Sequence, residues 1–375
     1  MKKLILLSIC LLLTGCFNYT ELNKMAIVSS IGVDKIDGKY EITVQIMNAK
    51  ENKDTEGSQV TIYSEKANTL IHALRNISLK SPRKLNGSHI GKIILSKEVA
   101  EENIIDVLDI FLRLSDAREE INVMVSDNIS AKKALSVLTT TENIPSEYVR
   151  MTLESGYKYT SLTYPIKADE FISSYLKKYS DPVVPIIKIE NYDKKGTTTD
   201  NINTTNQITK IKVIDKLGIT KNGKIIDYMD NNEVYGYNFL NNNIKNSIIE
   251  IKCDKNNYSA IAIKSNTKYK TNKNNNKYSI NFTINVDGEI NEYTCNNKIN
   301  TKNLEKKLKK KINNYIESIL LKNNNIDSDF LELKRKVYLD NKSYNNEQIN
   351  VNYKINVNIN KKGQLNNSIK GEKNE

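Results

Sequence analysis

The hydrophobic residues of this chain change period along its length, from two to 3.6 and back, and no run after Leu13 is long and apolar enough to span a bilayer. Such switching calls for packed helices and sheets rather than a bundle or a barrel alone. Residues 26–35 read as a strand, and Asp37-Gly38 is a hairpin signal. Tyr40, Ile42, Val44 and Ile46 then alternate with Lys39, Glu41, Thr43 and Gln45, the pattern of a half-buried strand in an antiparallel sheet. Over 64–79 the period becomes helical, with Ala67, Leu70, Ile71, Leu74 and Ile77 on one face and Ser64 as the cap. His89 to Leu95 and Ile121 to Val125 return to strand. Ser96 caps a helix through Ala100, Ile104 to Leu112 forms another, and Ser130 caps one through Leu138. A last helix, about 168–178, stops before Pro182.

At 375 residues the chain exceeds one ordinary core, so more than one domain is expected. Residues 191–207 are polar, with Asp193, Gly196, a Thr run and several Asn, and read as a linker. Beyond it a strand at 208–217 leads through the Asn222-Gly223 hairpin to Lys224–Asp227, then to a short helix near 230–240. Strand-like runs follow at 247–252, 258–266 and 277–287. The helix over 301–322 is the clearest, with Leu304, Leu308, Ile312, Tyr315, Ile316, Ile319 and Leu320 on one face. The chain closes with a strand in which Ile349, Val351, Tyr353, Ile355, Val357 and Ile359 alternate with Asn and Lys. The expected class is α+β and multidomain. A mixed α/β region spans 16–190, as one or two subdomains. A C-terminal domain over 208–362 carries an antiparallel sheet with a long packed helix, and a polar tail follows at 363–375.

The N-terminus reads as an address rather than as structure. Lys2 and Lys3 precede an apolar run from Leu4 to Leu13, too short for a spanning helix but right for a signal peptide over 1–15. Leu13-Thr14-Gly15-Cys16 resembles the lipobox of bacterial lipoproteins, which implies cleavage after Gly15 and a diacylglycerol on the Cys16 thiol. Two acyl chains anchor a protein stably where one does not. Cys253 and Cys295 then remain, outside the cytosol, either as a disulfide or as two buried thiols.

Catalytic and cofactor motifs are missing from the sequence. There is no G-x-S-x-G, H-E-x-x-H, P-loop or G-x-G-x-x-G, and neither remaining Cys belongs to a CxxC metal pair. His72 falls off the apolar stripe of its helix and reads as solvated; His89 opens a strand and is expected in a core. Neither has a partner motif that would make it a base. Lysines from Glu305 to Lys311 form a basic run on an amphipathic helix, read as a solvated face, with anionic lipid as the other reading. Asp327 and Asp329 are two apart, a spacing more often used for capping than for a metal. The formal charge of +12 comes from Lys dispersed among Asn, not from Arg-rich patches with interleaved aromatics, so nucleic acid is not an expected partner.

Several blocks together resemble the Ger(x)C family, the lipoprotein C subunits of spore germinant receptors. They are Gly15-Cys16-Phe17-Asn18, Glu21-Leu22-Asn23, Ala26-Ile27-Val28 and Ile31-Gly32-Val33-Asp34, with Tyr40 to Gln45 after the hairpin. His89 to Leu95, Glu98, Ala100, Arg113, Arg118, Lys216 to Ile219, Gly223 to Ile226, the 301–322 helix, Asp327 and the closing strand also fit. The family usually has Trp-Asp after the lipidated Cys, where this chain has Phe17-Asn18. The resemblance implies a non-catalytic accessory or scaffolding subunit acting in nutrient-triggered germination, without a cofactor. It implies integral-membrane A- and B-type subunits as partners and a place on the outer face of the inner spore membrane. Two rivals are a solute-binding lipoprotein of an importer and a lipid-anchored envelope enzyme. The alternating strands speak against the first and the missing motifs against the second.

Overall fold

The computed structural model describes residues 24–48, 60–113, 120–137, 144–190, 210–253, 257–274, 277–295, 299–341 and 348–361, with Glu21 and Tyr344 besides. Gly15 and Cys16, the signal segment, the expected linker and the polar tail lie outside the described residues.

The first sheet grows from the hairpin of β1 (Met25–Ile36) and β2 (Lys39–Met47), whose turn residues Asp37 and Gly38 take φ of 52° and 74°. Its order is β10-β9-β8-β6-β5-β1-β2-β3. Here β3 is Val60–Ala67, β5 Lys92–Ser96, β6 Asn122–Ser126, β8 Val183–Glu190, β9 Lys210–Lys221 and β10 Lys224–Met229. Short β4 (Lys84–Asn86) joins β1, and β7 (Ile166–Lys167) joins β6. The central pairs β1–β5, β5–β6 and β6–β8 are parallel.

Parallel strands need covering on both faces, and the central strands are accordingly apolar on both. Ile93, Leu95, Val123, Val125, Val184 and Ile186 share one core with α1 (Leu70–Ile77), α2 (Lys97–Glu102), α3 (Ile104–Leu112) and α6 (Ala168–Leu176). Ile94, Met124, Ile187 and Ile189 face the other way, onto α4 (Ala131–Ser136) and α5 (Pro145–Tyr159).

Two expectations fail here. The strand at 39–46 is not half-buried. Thr43 and Gln45 are fully buried, because α4 lies on that face. Gln45 Nε2 donates to the Leu135 carbonyl at 2.9 Å, and Lys132 Nζ reaches Glu41 at 2.8 Å. Asp34 on β1 accepts from the Ala131 and Lys132 amides at 2.8 and 2.9 Å, a cap for α4 supplied from 97 residues away. Second, the expected helix at 64–79 is a strand followed by a shorter helix. Val60–Ala67 pairs with the edge that β2 offers, and Thr69, not Ser64, caps α1 by accepting from the His72 amide at 3.3 Å. Helix α5 and strand β8 stand where the sequence reading assigned no element.

The second sheet has the order β11-β12-β13-β14, from Ser247–Lys252, Tyr258–Asn274, Lys277–Tyr293 and Ile349–Lys361. It is antiparallel from β11 to β13, while β14 joins β13 in parallel. The connection through α8 (Thr301–Asn325) and α9 (Leu333–Asn341) is the crossover that a parallel pair requires. Leu304, Leu308, Ile312, Tyr315, Ile316 and Ile319 of α8 bury against Ile249, Ile261, Ile280, Phe282 and Ile284. At roughly 25 cal/mol per Å², each such large side chain contributes on the order of 1.5–3 kcal/mol. The helix α7 (Asn231–Leu240) is buried from Val234 to Leu240.

Strands β9 and β10, expected with the C-terminal half, hydrogen-bond into the first sheet, and Leu217, Ile219 and Met229 belong to the C-terminal core. One core therefore runs from the end of the first sheet into the second.

Cys253, after β11, and Cys295, after β13, are joined with their Cα atoms 5.9 Å apart and a sequence separation of 42. A cross-link closing a loop of that length restricts the unfolded chain and contributes about 2–4 kcal/mol. Reduction should therefore lower the melting temperature, and the Cys253→Ser/Cys295→Ser double variant should melt at the reduced protein's temperature regardless of reductant. An oxidised protein with two titratable thiols would refute the pairing.

Candidate functional site

A cleft of about 770 Å³ opens beside the first sheet, where α5 passes the N-terminal ends of β5 and β6. Lys92 is the first residue of β5, in register with Ser30 of β1 and Asn122 of β6, so it stands in the middle of the sheet. Its side chain is only 3% exposed. An isolated buried ammonium is costly, and the first turn of α5 supplies its partner, Glu147. Pro145 begins that helix, and Glu147 also suits the positive end of the helix dipole.

The charges continue along α5 at helical spacing. Arg150 Nε donates to Glu147 at 2.8 Å and its Nη1 to Glu154 at 2.6 Å. Lys92, Glu147, Arg150 and Glu154 thus form one chain of alternating sign. Burial pulls the Lys92 ammonium below its ordinary pKa against the pull of Glu147. Burial alone would raise the Glu147 carboxyl, but hydrogen bonds from Lys92 and Arg150 hold it below the usual range. The asymmetry follows exposure, since Glu147 is a third exposed and Lys92 is not. Tyr157 and Tyr164 close one end edge-to-face at 5.9 Å, and Lys167 pairs with Glu120 at 3.1 Å on the rim.

Each cation already has a carboxylate partner, and the lining holds no nucleophile paired with a base. Sequence reading missed Lys92 because a Lys opening a strand looks like a solvated end. The signal available was Pro145-Ser146-Glu147 ahead of Val149 and Leu153.

The residues singled out from sequence lie elsewhere. His72 is exposed on α1. His89 is exposed on the rim of the cleft, not in a core, because β5 begins only at Lys92. Two of the lysines read as a solvated face are engaged. Lys307 Nζ donates to the carbonyls of Lys252 and Cys253 at 3.1 and 3.3 Å, and Lys311 Nζ to that of Glu250 at 2.9 Å. They cover the free edge of β11. Asp329 is buried and accepts from the Leu333, Lys334 and Arg335 amides, so it caps α9; Asp327 is exposed. Burial pushes the Asp329 carboxyl up to about 6. Among the described residues no cluster of three or more His, Cys, Asp or Glu could hold a metal.

Comparison with known proteins adds the following. Residues 18–189 match the family model for the spore germination protein N-terminal domain, and residues 215–363 match that for the spore germination B3/GerAC-like C-terminal domain. The chain is 28% identical over 260 residues to spore germination protein KC of Bacillus subtilis (strain 168), covering 66% of this chain and 62% of that protein. It thus spans less than two thirds of the KC protein. It is 25% identical over 300 residues to spore germination protein A3 of the same organism, covering 77% of this chain and 74% of that one. The crystal structure of the GerBC protein has the same fold, with a TM-score of 0.53 at 17% identity over 88% of this chain and 96% of that one. With both halves matched in order, the chain belongs to the GerAC-type family of spore germination proteins.

Proposed function

We propose that this protein is a lipid-anchored, non-catalytic subunit of a nutrient germinant receptor, held on the outer face of the inner spore membrane. It acts there as an accessory or scaffolding subunit beside integral-membrane A- and B-type subunits. The family match over both halves carries the reading. Among the described residues no helix is long and apolar enough to cross a membrane; Leu13-Thr14-Gly15-Cys16, which resembles a lipobox, supports attachment through Cys16. Only residues 17–24 separate Cys16 from β1, a tether short enough to keep the folded protein against the bilayer. Confinement of this kind raises the local concentration toward partners into the ~mM range.

Cys16→Ala tests the proposal. The variant should fold normally, leave the spore membrane fraction, and germinate more slowly at every nutrient dose. Normal germination with the protein absent from the membrane would refute both the anchor and the receptor role.

A further inference from the structure

A second cavity, of about 440 Å³, lies at the seam between the first sheet and the C-terminal unit, walled by α6, the start of β8, the end of α7 and the turn before α9. Its volume lies in the range of small-molecule sites. Two phenols line it, Tyr164 and Tyr237, packed edge-to-face at 6.2 Å. Tyr237 is only 8% exposed, and neither hydroxyl has a hydrogen-bond partner among the described residues. Both rings border the cavity, so their phenol oxygens can accept from a ligand there in place of water. Burial first, and nearby acidic groups second, keep both phenols protonated; Tyr164 is pushed up to about 12 and Tyr237 well above its ordinary value.

The charges around these phenols are one-sided. Asp169, Glu170 and Glu332 line the cavity against the single ammonium of Lys177. Glu170 and Glu332 line the same cavity as the two phenols, and Glu170 uses one oxygen for the Lys167 amide at 3.3 Å. Asp181 is already occupied, accepting from the Asp329 amide at 2.8 Å and facing Lys221 Nζ at 3.5 Å. Glu332 uses one oxygen for Ser180 at 2.6 Å. Lys336, behind this wall, donates to the Leu331 carbonyl at 2.6 Å and lies near the Asn241 side chain at 3.4 Å.

We infer that this seam cavity binds a small organic ammonium ion. Its N–H groups would be shared between the Glu332 and Glu170 carboxylates and the Tyr164 and Tyr237 oxygens, with the hydrocarbon body against Ile166, Val183 and Phe330. Acceptors and negative charge suit an ammonium, and the apolar wall distinguishes an organic cation from a bare metal ion. Such a ligand would bridge the two halves of the chain. The inference stands apart from the receptor assignment.

Calorimetric titration and thermal melts of the full chain test it, with n-butylammonium chloride as the probe and KCl and n-butanol at equal concentration as controls. Butylammonium should bind saturably and raise the melting temperature, while KCl and butanol should do neither. Tyr237→Phe keeps the ring and its packing, and it should weaken binding about tenfold, as loss of a hydrogen bond to a charged group does. Glu332→Gln should weaken it at least as much, and Asp169→Asn on the rim by less. Should Glu332→Gln fail to fold, Tyr237→Phe and Asp169→Asn decide. Absence of saturable binding, an equal response to KCl, or unchanged affinity in Tyr237→Phe would overturn the inference.

Discussion

Gly236→Val is expected to destabilise the C-terminal unit severely. Gly236 lies mid-way along α7, where a glycine costs about 1 kcal/mol of helix propensity relative to Ala, so its place there needs a reason. The reason is the approach of α8. A Cβ on Gly236 would collide with the Tyr315 carbonyl oxygen and sit 2.7 Å from Ile319 Cγ2. The nearer obstacle is backbone, so no rotamer change relieves it. The neighbouring Tyr235 and Tyr315 rings stack at 4.9 Å, which pins the two helices at this separation. Overpacking a core ordinarily costs about 1–3 kcal/mol, and a backbone collision inside it belongs at or above the upper end. Even Gly236→Ala should thus lose about 2–3 kcal/mol after its gain in propensity, and Val more. Against a total stability of roughly 5–15 kcal/mol, Val should remove a large part of the margin that keeps the chain folded. Far-ultraviolet circular dichroism with a denaturant titration reads this directly. A Gly236→Val protein that melts with the wild type would show that α7 and α8 are not packed this closely.

Glu147→Gln should be the most damaging single change around the Lys92 cleft. It leaves a buried ammonium without its carboxylate, and breaking a buried pair from one side costs about 3–5 kcal/mol. Glu147 is 32% exposed, so water takes over part of its role and the loss should fall nearer 2–3 kcal/mol. Lys92→Met/Glu147→Gln, which removes both charges, should recover most of it. The pH dependence supplies a second readout. Burial holds the Lys92 pKa below 10.5 in the fold, so the unfolded chain binds this proton more tightly. Stability from this group therefore rises with pH through the window between the lowered value and 10.5. Glu147 is the principal partner raising that value, so in Glu147→Gln the window should reach further toward neutral pH. Denaturant titrations between pH 7 and 10 would reveal it. Equal loss in the single and double variants would show that the ion pair is not what Glu147 contributes.

The proposed tether and the observed fold bear on one another. The first strand begins close behind Cys16 and sits beside the parallel centre of the large sheet. A lipid at Cys16 would thus hold the first sheet close to the membrane. The C-terminal core shares Leu217, Ile219 and Met229 with that sheet.

What the sequence determined by itself is local. Asp37-Gly38 and Asn222-Gly223 announced two hairpins, because such pairs accept the positive φ that these turns need. Ser96 and Ser130 marked helix starts, since a hydroxyl before an apolar run has an amide to satisfy three residues on. Ile104–Leu112, Ser247–Lys252 and the buried stripe of the long helix were all legible from periodicity. The family resemblance lay in blocks of adjacent residues, and it too could be read along the chain. What only the tertiary structure decided is which surfaces meet. The polar face of β2 is buried because α4, about ninety residues on, lies over it. Val60–Ala67 is a strand because β2 leaves an edge free. The chain's last strand runs parallel to β13 because two helices carry it across. Lys92 is buried because α5 brings Glu147 to it, and Gly236 is required because α8 passes within van der Waals contact. Periodicity reports which faces of a segment are apolar, but burial and pairing belong to two segments at once, and the partner's identity is written far away in the chain.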